Sequence, residues 1–243
     1  VITNAEIIKN RISFFYSVLK ERIHVISQRP SQSISRFNRV EKTTLEKIKK
    51  LYKLPEKYIF YPAMFLPHKN HKYVIDTIKI LKTDHQINLN AVFCGTDKGY
   101  LKKIKKYVDE QQLKENILFL NFVEGEHLPY LYFNSIALTM PTFSGPTNIP
   151  PWEAFKMEIP VLYSDIHNVK EVYKDAVYYI DPLDPQSMVE GIINIIKNKN
   201  LKNKLVENGK KLLQSINSDK EFEQFFELLN KRKKVKESWK FNS

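Results

Sequence analysis

The stretch Pro141-Thr-Phe-Ser-Gly-Pro-Thr-Asn-Ile-Pro-Pro-Trp-Glu153-Ala154 brings hydroxyls, an amide, a glycine, two prolines and a carboxylate into one short span. Ser144, Gly145, Thr147 and Asn148 offer small polar groups and open backbone, while Pro150 and Pro151 suit the first positions of a helix, where a missing N–H costs nothing. Free backbone donors at such a start, around Thr147 to Ile149, favour an anion such as a phosphate, with the positive end of the helix dipole behind them. Glu153 lies one turn further in and cannot take a phosphate. A carboxylate beside a bound diphosphate is placed to accept hydrogen bonds from hydroxyls, such as those of a ribose. The plain alternative is a strand-to-helix connection that its prolines only stiffen.

The elements that must hold this stretch follow from hydrophobic spacing. Ile136–Met140 is a short apolar run of buried-strand type, and Glu153–Met157 has helical composition, so the stretch reads as strand, loop and helix start. The same rhythm runs through the chain. Helix Lys42–Tyr52 precedes strand Tyr58–Pro62 and helix His71–Leu81, whose Val74, Ile75, Ile78 and Leu81 point inward. Strand Asn90–Cys94 precedes helix Tyr100–Gln111, and Ile117–Leu120 precedes Glu126–Phe133. Val161–Tyr163 precedes Asn168–Tyr173, and Val177–Ile180 precedes Pro185–Lys197. Such alternation predicts an α/β fold: a Rossmann-like parallel sheet with helices on both faces, its ligands bound beyond the carboxyl ends of the strands. Leu201–Gln214 and Phe222–Lys233 are further amphipathic helices.

In such a sheet the loops Ala63–Asn70, Gly95–Gly99, Asn121–Gly125 and Ser144–Asn148 share one edge. Lys69 is then a cation for a diphosphate, and His68 beside it is either exposed to solvent or in contact with substrate, ahead of any metal role. Gly95 and Gly99 permit close approach of backbone, with Thr96 between them, and Phe122 and Val123 could pack on a base. Taken together, these placements argue for a nucleotide-type ligand.

Composition narrows the alternatives. With 243 residues, 42% hydrophobic and 12% aromatic, the chain can bury a sizeable core. No apolar run reaches the ~20 residues of a membrane span. The single cysteine, Cys94, excludes an internal disulfide, and the six histidines lack metal-ligand spacing. These features lead us to expect a soluble, cytoplasmic, metal-free protein. The formal charge of +12 raises a nucleic-acid reading, but no recognition motif accompanies it, and lysines spread along helices describe a solvated surface. The run Lys231–Lys236, followed by Trp239 and Phe241, could touch anionic lipid or an acidic partner, or be an ordinary charged helix end. At the other end, Thr3 or Asn4 is expected to cap a helix through Leu19 with Ile7, Ile8, Ile12, Phe15 and Leu19 on one broad face. Ile23–Ile26 reads as a strand and the aperiodic Gln28–Arg39 as a linker.

Three segments carry a resemblance: Tyr61-Pro-Ala-Met-Phe-Leu-Pro-His-Lys-Asn-His71, Val92-Phe-Cys-Gly-Thr-Asp-Lys-Gly99, and Ser144-Gly-Pro-Thr-Asn-Ile-Pro-Pro-Trp-Glu-Ala154. As an ordered set they resemble the donor-binding half of retaining, two-domain (GT-B) nucleotide-sugar glycosyltransferases, the family that includes bacterial mannosyl- and rhamnosyltransferases of surface polysaccharides. The resemblance spans about residues 1–196. It implies that Lys69 neutralises the leaving diphosphate and that Glu153 holds the ribose hydroxyls. Met64 stands where the family carries an arginine, and Gly145 stands where it carries a first glutamate to the donor sugar. The resemblance also implies that residues 1–40 are the end of an acceptor domain plus linker. Residues 41–215 would then be the donor domain, and 216–243 a helix returning to the other half with a basic tail.

The expected function is transfer of a hexose from a GDP- or UDP-linked donor to a saccharide or lipid-linked acceptor with retention, with no cofactor, in surface polysaccharide synthesis. Lys69 and Glu153 are the residues expected to act in it. Met64, His68, Gly95, Thr96, Phe122, Val123, Ser144, Gly145, Thr147, Asn148 and Ile149 are expected to line the donor. Peripheral membrane contact through the tail and dimerisation through the N-terminal helix are also expected, as is a chain that binds donor but lacks most of its acceptor site. The rival readings are a donor-fold module that has lost catalysis and a basic nucleic-acid-binding protein.

Overall fold

The computed structural model describes residues 1–216 and 218–240, apart from the side chains of 218–222, 235 and 238–240. The aromatic end of the basic run is therefore not described, Trp239 in its side chain and Phe241 altogether. The chain forms two compact units, residues 1–28 with 214–243, and residues 29–213.

In the smaller unit, β1 (Ile2–Thr3) and β2 (His24–Val25) pair in parallel, Ile2 opposite His24, and α1 (Glu6–Tyr16) connects them. Neither Thr3 nor Asn4 caps α1. The N-cap is Ala5, in extended conformation with no side-chain bond, and the helix stops at Ser17, whose φ of 52° is left-handed. The expected helix through Leu19 is thus shorter, and Phe15 is 72% exposed rather than inward. No helix of the described residues is long and apolar enough to cross a membrane.

The larger unit opens with α2 (Gln32–Ser35) and α3 (Lys42–Leu51). The stretch read as a linker is therefore partly helical, and α2 packs against two later helices, burying Ile34 completely. Its lone apolar anchor among serines and arginines gives no periodicity to detect.

Six strands follow, all parallel: β3 (Tyr58–Pro62), β4 (Asn90–Cys94), β5 (Ile117–Leu120), β6 (Ala137–Met140), β7 (Val161–Ser164) and β8 (Tyr178–Ile180). Their spatial order is β5-β4-β3-β6-β7-β8. The central strands β3, β6 and β7 are buried along nearly their whole length, which is why they read as continuous apolar runs and not as alternating ones. The helices between them are α4 (His71–Thr83), α5 (Leu101–Glu110), α6 (Leu128–Phe133), α7 (Ile149–Lys156) and α8 (Val169–Tyr173). Then come α9 (Pro185–Lys197), started by a proline behind the capping carboxylate of Asp184, and α10 (Lys199–Gln214). The final α11 (Ser218–Lys240) groups with the N-terminal segment in the smaller unit.

Counted from β3, the sheet order is 3-2-1-4-5-6, the doubly wound order, and its direction of winding reverses between β3 and β6. Right-handed crossovers put α4 and α5 on one face, with α9 packed on α4, and α7 on the other, with α2 beside it. The chain leaving β3 and the chain leaving β6 therefore part to opposite faces, and the crevice between them is where a ligand can enter.

The edge is held by one close contact. A Cβ on Gly95, just past β4, would lie 2.2 Å from the Ala63 carbonyl oxygen, just past β3. That closeness lets the ladder run on beyond the strands: Ala63 N–H donates to the Cys94 carbonyl at 2.9 Å and Phe65 N–H to the Thr96 carbonyl at 3.1 Å. Gly95→Ala meets backbone, which cannot swing aside, and is expected to cost about 1–3 kcal/mol in denaturant unfolding.

His71, the first residue of α4, is 1% exposed and its ring lies 4.8 Å from that of Tyr61, 5.0 Å from Phe65 and 5.1 Å from Phe93. Neither ring nitrogen finds a hydrogen-bond partner among the described residues. Burial lowers its pKa to about 3, the Lys69 charge adding to the effect and the Ala63 backbone opposing it. The unfolded chain takes up a proton near pH 6.5 that the folded chain refuses until about pH 3, so this residue's contribution to stability is lost as pH falls through that window. The loss is expected to reach about 3–5 kcal/mol. Urea titrations from pH 7 to pH 4 should show a steeper decline for the parent protein than for His71→Phe, and parallel curves would remove His71 as the cause.

Candidate functional site

Two loops meet at the crevice, the one after β3 and the one after β6. The first turns through a 3-10 segment, Pro67–Lys69, and then through Asn70 in left-handed conformation, φ 57°, into α4. Tyr61, on β3, pins this turn by donating its hydroxyl to the Lys69 carbonyl at 2.6 Å. The second loop is sewn to the first by backbone. Phe143 N–H donates to the His68 carbonyl at 2.9 Å, and the Thr142 hydroxyl reaches the same carbonyl at 3.2 Å and the Ser144 carbonyl at 2.9 Å. His68 thus contributes through its backbone, while its side chain is exposed.

Across this seam the Lys69 ammonium donates to Asn148 Oδ1 at 3.3 Å. Lys69 is part-buried and burial lowers its pKa, with no carboxylate paired to it among the described residues. Asn148 Nδ2 donates to the Gly145 carbonyl at 2.6 Å and to the Tyr163 hydroxyl. Tyr163 in turn donates to the Gly145 carbonyl at 2.7 Å. The Asn148 backbone is held as well, its N–H and its carbonyl each 3.2 Å from the Tyr173 hydroxyl. Gly145 sits at φ 85°, a conformation glycine takes at little cost.

These bonds change what the helix start can offer. The Asn148 N–H is spent on Tyr173, and Pro150 and Pro151 have none to give, so among residues 148–151 it is the Ile149 N–H that can face an anion. Ile149 itself is 44% exposed.

Glu153 is 4% exposed. Its Oε2 accepts from the Tyr132 hydroxyl at 2.6 Å and its Oε1 from the Ser31 N–H at 3.2 Å. An ionised carboxylate has about four acceptor positions, so capacity for a ligand hydroxyl remains. The neighbouring Tyr132 hydroxyl, fully buried beside that charge, is pushed well above its ordinary pKa by burial first and by Glu153 second.

The remaining predicted residues sit further along the edge. Gly95 and Thr96 belong to the β4 exit welded to Ala63 and Phe65, and the Asp97 carboxylate there accepts from the N–H groups of Gly99, Tyr100 and Leu101 at 2.7, 3.1 and 3.2 Å, filling the start of α5. Phe122 is 78% exposed and Met64 45% exposed, and Val123 is half-buried. Thr147 and Ser144 lie between Gly145 and Asn148 or beside them on the β6 loop. Among the described residues no group of three or more histidine, cysteine or carboxylate side chains converges as a metal site. The structure therefore brings Lys69, Gly145, Asn148 and the His68 backbone into one cluster.

Residues missing from the sequence reading are Tyr61, Thr142, Tyr163, Tyr173, Tyr132 and Ser31. A tyrosine in an apolar strand reads as core, and its hydroxyl at the strand's carboxyl end is the only signal that would have singled out Tyr61 or Tyr163.

Comparison with known proteins fits this geometry. Residues 43–212 match the family described as glycosyl transferases group 1. The O-antigen chain mannosyltransferase RfbU of Salmonella typhimurium is 31% identical over 196 residues, 80% of this chain and 50% of that protein. O-antigen chain mannosyltransferase B of Escherichia coli is 25% identical over 141 residues, 58% of this chain and 37% of that one. The chain thus spans about half the length of the curated relatives it matches, or less. Among solved structures, a glycosyltransferase from Rickettsia africae superposes with a TM-score of 0.81 at 15% identity, covering 94% of this chain and 62% of that one. Anabaena HepE in complex with UDP and glucose superposes with a TM-score of 0.79 at 15% identity, covering 95% and 63%. The sheet order, the seam at its reversal point and the match over most of the larger unit agree: the chain belongs to the group 1 glycosyl transferases.

Proposed function

We propose that residues 29–213 bind a nucleoside-diphosphate sugar in the crevice between β3 and β6, and that the protein they belong to transfers its hexose to a saccharide or lipid-linked acceptor with retention. The observation that carries this reading is the Lys69–Asn148 contact across the reversal point of the sheet, where the two loops meet around a cation that pairs with no carboxylate among the described residues. Charge that builds on a departing diphosphate is answered there by Lys69 Nζ and by the Ile149 N–H, groups fixed before the reaction begins. Glu153 takes ribose hydroxyls on the lone pairs that Tyr132 and Ser31 leave open, and exposed Phe122 offers its ring to a base. With Gly145 in place of a carboxylate, contacts to the sugar are few and neutral. UDP accompanies HepE in its solved structure, and the mannosyltransferase relatives act on O-antigen chains, so UDP- and GDP-sugars are the donors to try first. Peripheral contact of Lys231–Lys236 with an anionic membrane, at its cytoplasmic side, and self-association belong to the same proposal.

The first experiment is a thermal-shift panel of GDP-, UDP-, dTDP- and ADP-sugars, because a selective ligand stabilises by mass action. One of the four should raise Tm well above the rest, and a flat panel would count against donor binding. With that nucleotide, Lys69→Ala should weaken the diphosphate by ~1.5–3 kcal/mol and leave the nucleoside unchanged, since only the diphosphate carries the charge it answers. Equal losses would remove Lys69 from the phosphate site. Glu153→Gln places an amide where two donors already point, so its Tm should fall. The role in ribose binding is tested separately, by comparing ribo- and 2′-deoxynucleotide: the parent should prefer the former, and the variant should lose the preference. A variant that keeps it would end the ribose assignment.

A further inference from the structure

Asn148 occupies the N-cap position of α7, yet its side chain caps nothing in that helix. It spans the crevice instead, with Oδ1 on Lys69 Nζ and Nδ2 on the Gly145 carbonyl and the Tyr163 hydroxyl. The chemistry at the two ends fixes which way the amide faces. An ammonium can only donate and a peptide carbonyl can only accept, so the amide oxygen must look at Lys69 and the amide nitrogen at Gly145. Tyr163 donates to the same carbonyl at 2.7 Å, and the rings of Tyr163 and Tyr173 lie 4.9 Å apart, so the carrier of the amide is itself braced by β7 and α8.

An amide oxygen suits a lysine that has to meet an anion. A carboxylate at the same place would orient the ammonium but cancel its charge and compete with a phosphate for it. The Asn148 oxygen gives direction without cancellation. A half-buried lysine with no such partner would keep the charge but lose its heading, because its four-carbon stem has many rotamers.

We infer that Asn148 is a positioning residue for Lys69, holding the ammonium at the mouth of the crevice with its charge intact, and that Tyr163 fixes the amide that does so. Asn148 then acts on the diphosphate through Lys69 and is not itself a donor ligand. This rests on the crevice being a diphosphate site, as proposed above.

The test measures Kd for UDP and GDP, each beside its own nucleoside, in the parent, Asn148→Asp, Asn148→Ala and Tyr163→Phe, with Tm recorded for all four. Asn148→Asp should lose about tenfold to hundredfold in diphosphate affinity, the range of a charge-assisted bond, while its nucleoside affinity stays within about twofold. Asn148→Ala should lose less, about threefold to tenfold, because the charge survives and only its placement is lost. Tyr163→Phe should follow Asn148→Ala in direction. A purely structural role predicts another pattern: Tm falls, and diphosphate and nucleoside affinities change by the same factor or not at all. That pattern, or an Asn148→Asp variant that binds diphosphate as the parent does, overturns the inference. Should Asn148→Asp not fold, Tyr163→Phe decides, an unchanged diphosphate-to-nucleoside ratio overturning it. A parent protein that prefers neither diphosphate to its nucleoside would refute the diphosphate site itself, which is a separate result visible before any variant is made.

Discussion

The constraint on which the structure depends is the reversal of winding between β3 and β6. Two neighbouring parallel strands must send their chains to opposite faces of the sheet, and no helix can then cover the gap above them. The residues of the candidate site gather around that gap. Lys69 comes from one side and Asn148 from the other. The backbone seam from His68 to Phe143 and Thr142 keeps the gap from widening, and the approach of Gly95 to Ala63 fixes the flank formed by β4. Tyrosine hydroxyls on β3, β7 and α8 serve the same purpose, converting buried rings into anchors for these loops. Tyr61, Tyr163 and Tyr173 all have their hydroxyls on backbone of these loops.

Glu153 shows the same economy on the other side of the crevice. A carboxylate this deeply buried is costly unless hydrogen-bonded. It is bonded twice, by Tyr132 from α6 and by the Ser31 backbone at the entry to α2. The segment ahead of α3 is thereby part of the site's support, which explains why a short helix with a single buried isoleucine is ordered against α6 and α7.

Much of the fold was legible because parallel central strands bury both faces. Tyr58–Pro62 and Asn90–Cys94 declare themselves as runs, and the structure has strands at those limits; the edge strand Ile117–Leu120 keeps its expected limits too, although its middle residues are only half-buried. Most helix limits in the larger unit moved by a residue or two, as frayed ends do, but α7 starts at Ile149 where Glu153 was expected, and α11 runs Ser218–Lys240 where Phe222–Lys233 was expected. Lys69 and Asn148 were legible as members of loops on a shared edge, but their contact was not, since it joins residues far apart in sequence. The support from tyrosines was hidden for a different reason: the ring decides how the residue reads, while the hydroxyl decides what it does. At the N-terminus, a threonine and an asparagine before an apolar stretch gave a capping signal that the backbone did not use, and the helix began after Ala5 instead.

The two prolines at the start of α7 carry a consequence for an anion bound in the crevice as proposed. A helix opening with ordinary residues would present a fixed collar of amides to a phosphate, and a spent nucleotide would have to break all of them together. Here Pro150 and Pro151 supply no N–H, and the donors left at the crevice are the Ile149 amide and the Lys69 ammonium that Asn148 holds. If the crevice takes a diphosphate as proposed, few donors have to let go of it at once, so an anion there exchanges more readily than one ringed by amides.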